Sequence, residues 1–87
     1  MSAQTFAAFF RAAGAARFGA EYVSPMARAL NIGLRTAQRW DAGELEPRDP
    51  DAVRAEIRAM LRRDRPLIER ELHDRLAAID ALLAEGP

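Results

Sequence analysis

Residues 26–44 constrain the fold of this chain more than any other stretch. Without a gap they read as two short amphipathic helices joined by a tight turn, the helix-turn-helix pattern. The pattern needs a small residue where the helices cross closely, and Ala27 stands there. It also needs apolar side chains in the angle between the helices, and these are Leu30, Ile32, Ala37 and Trp40. The sequence therefore predicts a small all-α domain built around this helix pair.

Three residues of this stretch have the conformational properties that the pattern requires. Asn31 stands where the first helix should end, at a position that needs left-handed backbone and usually takes Gly, with Asn as the common second choice. Gly33 falls at the N-cap of the second helix, and Gly43 falls just past its end. The predicted boundaries of both helices follow from these residues.

The stretch resembles the Cro/C1-type helix-turn-helix family of bacterial and phage repressors. That signature runs Leu-Ala-x-x-Leu-Gly-(Val/Ile)-Ser-x-x-Thr-(Val/Ile)-x-x-Trp-Glu-x-Gly, and this chain follows it at Met26-Ala27, Leu30, Ile32, Thr36 and Trp40-Asp41-Ala42-Gly43. It departs at Asn31 for Gly, at Gly33 for Ser and at Ala37 for a β-branched residue. The resemblance is close over residues 26–44 and looser from Phe6 to Pro47. It implies a DNA-binding repressor of bacterial, prophage or plasmid origin.

The resemblance implies that the second helix of the pair carries the base contacts. Its residues Leu34, Arg35, Gln38 and Arg39 cluster on the face opposite Ala37 and Trp40. An arginine can bind guanine O6 and N7 with two parallel hydrogen bonds, a glutamine can bind adenine N6 and N7, and Leu34 can touch a thymine methyl. The alternative is that Arg35 and Arg39 are solvated and pair with Asp41 or Glu44.

Phosphate contacts are expected around this face. Thr36 and the backbone amides at the N-termini of both helices are suited to phosphate, and Arg28 and Arg48 are weaker candidates for the same role. Trp40 is expected in the core, because the motif turns it inwards.

The helices before the motif have less definite boundaries. A first helix is predicted from Ser2 as N-cap to about Ala13, with Phe6, Phe9 and Phe10 on one face and Gly14 as its stop. Residues 15–20 are then a loop or a ragged extension. In the next helix Pro25 suits the first turn with Ser24 as cap, although residues 21–23 could add a turn before it.

The part of the chain after the motif is helical in pattern. Residues 44–48 form a turn, and Asp49, Pro50 and Asp51 make a favourable helix start. Two apolar stripes follow, the first formed by Val53, Ile57, Met60 and Leu61, the second by Ile68, Leu72, Leu76, Ile79 and Leu83. Pro66 lies between them and disfavours helix at the residue before it, so a break near residues 64–66 is predicted. The total is then about five helices.

The second stripe suggests a dimer interface. Its residues Leu72, Leu76, Ile79 and Leu83 follow a 4-3-4 spacing that a short coiled-coil seam also gives, although two heptads are too few to decide. A homodimer would set two recognition helices about 34 Å apart, one turn of DNA. The expected organisation is a DNA-binding region over residues 1–48 and a dimerisation region over residues 49–87, within one compact domain.

Composition limits the other functions. The 87 residues have zero formal net charge, which argues against an indiscriminately cationic nucleic-acid binder. Residues 1–48 hold six arginines and four acidic residues, whereas residues 49–87 hold seven arginines and nine acidic residues. There is no Cys, and the only His is His73. Glu69 and His73 are four residues apart on one helix face, a spacing that metal sites use, but no third ligand is implied. A surface ion pair is the simpler interpretation of these two residues. No enzyme, metal or cofactor is expected.

The sequence thus favours a DNA-binding transcriptional regulator, a homodimeric repressor that reads an inverted repeat in double-stranded DNA. No apolar run approaches a membrane span and the chain starts without the basic residues of a secretory signal, so a cytoplasmic location is expected. The alternative is a protein-interaction module, such as an antitoxin, that keeps the helix-turn-helix scaffold and docks another protein through its C-terminal helices. The zero net charge and the acidic C-terminal half favour that alternative slightly.

Overall fold

The computed structural model describes residues 4–85, and all regular secondary structure among these is α-helical. Four helices follow one another: α1 (Phe6–Phe18), α2 (Val23–Leu30), α3 (Leu34–Ala42) and α4 (Pro50–Ala84). The all-α prediction is confirmed. The prediction of about five helices is wrong for the described residues, because the whole C-terminal part is one helix. None of these helices is long and apolar enough to cross a membrane.

Helix α1 is longer than the sequence suggests. It starts after Thr5, whose side chain accepts a hydrogen bond from the Ala8 amide at 3.1 Å, and the predicted cap Ser2 lies outside the described residues. Gly14 does not stop it, and the expected loop after it is helical up to Phe18. A glycine inside a helix costs only about 1 kcal/mol. Here it makes room for Tyr22, since a Cβ at Gly14 would lie 2.8 Å from Tyr22 Cγ.

Helices α2 and α3 form where the motif predicts them. Helix α2 includes the extra turn before Pro25, so Tyr22 rather than Ser24 is its N-cap. Asn31 ends α2 in left-handed backbone with φ 55°, and Gly43 ends α3 with φ 77°. Gly33 has extended backbone at the N-cap of α3. The turn residues that the sequence indicates are confirmed.

Helix α4 runs for 35 residues without a break. Asp49 caps it by accepting a hydrogen bond from the Ala52 amide at 3.1 Å, and Pro50 occupies its first turn, as predicted. The predicted break at residues 64–66 is wrong, since Pro66 lies inside the helix. Both Pro66 and Arg62, whose carbonyl loses its amide partner, are exposed. Water can therefore satisfy that carbonyl, and the helix tolerates the proline.

The core lies between α1, α2, α3 and the first half of α4. Phe6, Phe10, Met26 and Ile57 are its largest fully buried side chains. Trp40 of α3 meets the Phe6 ring edge-on at 5.4 Å and the Phe10 ring at 6.0 Å. The first apolar stripe of α4 packs here as expected, with Ile57 and Met60 buried and Val53 and Leu61 partly buried.

The second half of α4 leaves the core. Every residue from 69 to 85 is exposed, and the molecule measures 54 × 29 × 23 Å. The four residues Leu72, Leu76, Ile79 and Leu83 are each at least half exposed. The second stripe is therefore an uncovered apolar face on a projecting helix.

A partly buried ion pair joins α1 to α4 just before the helix projects. Arg17 Nε donates to Asp64 Oδ2 at 2.9 Å, and Arg63 Nε donates to the other carboxylate oxygen at 3.1 Å. Hydrogen bonding from Arg17 holds the pKa of Asp64 below its ordinary value of 3.8, while burial opposes that shift. The carboxylate therefore stabilises the fold in its charged form.

We expect Trp40→Ala to reduce the free energy of unfolding by about 3–5 kcal/mol, because it leaves a cavity against Phe6 and Phe10. Denaturant unfolding followed by circular dichroism measures this loss. Leu45→Ala is the control, since Leu45 is 43% exposed and should change stability far less. Equal stability of the two variants would contradict the buried position of the indole ring.

We expect Asp64→Asn to reduce the free energy of unfolding by about 2 kcal/mol at neutral pH, the usual loss for a hydrogen bond between charged groups. The native pKa is lowered, so this contribution is complete above the ordinary Asp pKa and is lost as pH falls through the native one. The difference between variant and wild type should therefore shrink in acid. Asp74→Asn, on the exposed part of α4, is the control. A difference that is constant with pH would show that the Asp64 charge does not act.

Candidate nucleic-acid interface

The candidate interface is the outer face of α3. The inner face of this helix is fixed by Ala37, which is fully buried, and by Trp40, which is 6% exposed. Residues on the opposite side of the helix then face solvent. The predicted base-reading residues do so: Leu34 is 47% exposed, and Arg35, Gln38 and Arg39 are also exposed. The structure therefore brings these four together on one accessible face.

The ion pairs around this face leave its arginines accessible. Arg39 Nε lies 3.9 Å from Glu44 Oε2, with both side chains more than half exposed. Such a surface contact contributes little, about 0–1 kcal/mol. Among the described residues Arg35 makes no ion pair. The predicted alternative, an ion pair between Arg39 and Glu44, is thus present but weak.

Asp41, the other acid suggested as a partner of these arginines, is held elsewhere. The Tyr22 hydroxyl donates a short hydrogen bond to its carboxylate, and Arg11 donates to its backbone carbonyl at 2.6 Å. Burial, followed by this hydrogen bond and the negative charge of Asp41, raises the pKa of Tyr22 to about 12, with a smaller opposing effect of Arg11. The phenol therefore keeps its proton and remains a donor.

Sequence reasoning did not identify this Tyr22–Asp41–Arg11 cluster. It ties the end of α3 to α1 and to the start of α2, and so it orients the candidate face. The available signal was Gly14, whose presence within an alanine-rich helical segment indicates a close neighbour rather than a helix end. That neighbour is the Tyr22 ring.

The predicted phosphate-contacting groups have different positions. Thr36 is half-buried in the first turn of α3, Arg28 is exposed in the last turn of α2, and Arg48 is exposed in the loop before α4. Neither α2 nor α3 has a side-chain hydrogen bond at its N-cap. Their first amides are therefore not satisfied by a capping side chain, and helix N-termini favour anions.

The residues predicted for the dimer interface are not part of this site. They lie on the projecting half of α4, beyond the core. Nearby, Glu69 accepts a hydrogen bond from Arg65 at 3.3 Å rather than contacting His73. Within residues 4–85 no three potential ligands are placed to hold a metal ion.

No family model, curated protein sequence or solved structure matches this chain significantly. The assignment of a function therefore depends on the geometry and chemistry of the residues themselves.

Proposed function

We propose that this protein is a sequence-specific DNA-binding transcriptional regulator, a homodimeric repressor that occupies an inverted repeat. The observation that carries the proposal is the division of α3 into two faces. One face is anchored in the core by Ala37 and Trp40. The other presents two arginines, a glutamine and a leucine to solvent on a short rigid helix. That is the arrangement by which a recognition helix enters the major groove.

The chemistry of the outer face suits base edges. Arg35 and Arg39 each carry a planar guanidinium that can bind guanine O6 and N7 at once. Gln38, on the same exposed face, can bind adenine N6 and N7, and Leu34 can contact a thymine methyl. A helix held on one side by aromatic packing keeps these groups in a fixed register, which discrimination between bases requires.

The surroundings of α3 suit the backbone of DNA. Arg28 and Arg48 are exposed, and the amides that open α2 and α3 have no capping side chain. Phosphates are bound by such groups without regard to sequence. The excess of arginines over acidic residues in residues 1–48 adds a local attraction for DNA that the zero net charge of the whole chain conceals.

A second copy of the chain would complete the site. One domain of this size covers a single half-site, and two domains related by a two-fold axis read an inverted repeat with additive contacts. The uncovered apolar face of α4 supports a dimer, because apolar patches of this kind on small proteins mark association surfaces.

We expect Arg35→Ala or Arg39→Ala to weaken binding to the specific site by about 1–3 kcal/mol and to relax the base preference at one position of each half-site. Binding is measured by fluorescence anisotropy with a DNA fragment from upstream of the protein's own gene, with and without random competitor DNA. Arg70→Ala, which removes the same charge from the projecting half of α4, is the control.

Three results of this experiment are informative. An equal loss on specific and random DNA would reassign the substituted arginine to a phosphate. Unchanged binding would remove it from the site. If the wild-type protein does not prefer its own upstream DNA to the competitor, the proposal of an autorepressor fails.

A second candidate function is docking to another protein through α4. The exposed stripe of the projecting half favours it, since an amphipathic helix of a partner could cover that stripe as well as a second copy could. The two candidates differ in the association state of the purified chain. A protein-interaction module would be monomeric without its partner.

A further inference from the structure

The residue pattern of the projecting half of α4 favours one relative orientation of two associated copies. Leu72, Leu76, Ile79 and Leu83 form the seam of apolar residues, as defined by their 4-3-4 spacing. Because α4 is unbroken through Pro66, the same spacing can be followed toward its N-terminus. It reaches four exposed charged residues, Glu69, Arg65, Arg62 and Arg58.

This continuation makes a parallel dimer unfavourable. In a parallel pair each seam residue faces its own copy. Arg65 and Arg62, which follow Glu69 in this spacing, would each approach an identical arginine, and like charges in that position repel. In an antiparallel pair centred between Ala77 and Ala78, Leu72 instead faces the partner's Leu83. Arg65 then lies about 37 Å along the axis from its own copy, so the two do not repel.

A groove beside the seam also favours the antiparallel orientation. It has a volume of about 280 Å³ and lies between the last turn of α1 and α4, where Phe18, Ile68, Leu72 and Arg75 line it. Phe18 and Ile68 are only half-buried, so part of their apolar surface is exposed in the groove. An occupant that covers both the groove and the seam would remove this apolar surface from water.

Leu82 is a further exposed apolar residue of the projecting half. It is 66% exposed and does not belong to the 4-3-4 seam. On the helix surface it lies on the same flank as Arg75 and Ile68, one and two heptads earlier. In antiparallel coiled coils this flank faces the same flank of the partner, whereas in parallel ones it faces the opposite flank. An antiparallel order thus brings the partner's Leu82 to the groove side of the seam.

The charged residues that flank the seam are compatible with both the parallel and the antiparallel orientation. Arg75 would lie near the partner's Asp80 in a parallel pair, and His73 would lie near the partner's Asp80 in an antiparallel one. The seam's arginine continuation and the position of Leu82 do distinguish them.

We infer that the chain forms an antiparallel homodimer in which the partner's Leu82 and Leu83 dock at the groove of Phe18, Ile68 and Leu72. This inference rests on the homodimer of the proposed function and adds its polarity and a second contact region. Two-fold symmetry makes the same contact twice.

The antiparallel order changes the expected operator. Phe6, Phe10, Trp40 and Ile57 belong to one buried cluster, so Ile57 marks the position of this core along α4. At 1.5 Å per residue from Ile57 to the dimer centre and back, the two cores lie about 60 Å apart. That distance is closer to two turns of DNA than to the single turn of about 34 Å expected from the sequence. The half-sites would therefore lie about two turns apart.

Disulfide cross-linking between single-cysteine variants tests this order, because the natural chain has no cysteine. Leu72→Cys and Leu83→Cys are made separately, one of them with a size tag, and are mixed under a glutathione redox buffer. In an antiparallel dimer the two positions are opposite, so the mixed disulfide should dominate. The identical positions are then about 16 Å apart along the axis, beyond the roughly 7 Å limit for a disulfide.

The other outcomes separate the inference from the proposed function. Disulfides between identical variants without the mixed product would show a parallel dimer, which overturns the antiparallel order but keeps the homodimer. No disulfide in any mixture, with sedimentation showing monomers, would overturn the homodimer as well and favour docking to another protein. Ala81→Cys, on the opposite side of α4, is the control and should give only background cross-linking.

The groove contact has its own test. Leu82→Gln should raise the dimer dissociation constant at least fivefold in sedimentation equilibrium, whereas Ala81→Gln on the opposite face should leave it unchanged. Equal dissociation constants for Leu82→Gln and the wild type would overturn the docking of Leu82 in the groove. Circular dichroism verifies that all variants keep their helical content, which is expected because each substituted residue is exposed.

Discussion

The packing of Trp40 against Phe6 and Phe10 fixes the orientation of α3, and the rest of the candidate site depends on it. The indole ring meets both phenyl rings edge-on, a favoured geometry for aromatic pairs. A nine-residue helix has too little intrinsic stability to hold its own direction. The ring contacts and the Tyr22 hydrogen bond to Asp41 supply that direction. Consequently Arg35, Gln38 and Arg39 face away from the core.

The helix-turn-helix motif was predictable because its turns and its buried face depend on local backbone conformation and residue spacing. Asn31 and Gly43 are left-handed where the pattern requires it, and burial of Ala37 and Trp40 follows from their spacing. Gly14 and Pro66 lie inside helices that the sequence predicts they would end, because their effects depend on tertiary surroundings. Gly14 is retained in α1 by the need for space near Tyr22, and Pro66 is tolerated on an exposed side of α4. The Arg17–Asp64 pair joins residues far apart in sequence and had no local signal.

The two halves of helix α4 have different surroundings. Its first half packs on α1 and completes the core, whereas its second half projects with an uncovered apolar face. Continuity through Pro66 matters for this reason, since it gives the core and the projecting half a fixed relative position. A dimer formed by the projecting halves would then set the distance between two recognition helices. The proposed reading of DNA and the proposed polarity of the dimer are linked through this one rigid element.

The proposed function requires the outer face of α3 to contact DNA. Titration of ¹⁵N-labelled protein with a DNA fragment from upstream of its own gene, followed by amide chemical shifts, detects that contact residue by residue. We expect the largest salt-resistant shifts on residues 34–39, with smaller ones near Arg28 and Arg48. Shifts confined to residues 67–83 of α4, or the absence of shifts on α3, would contradict it.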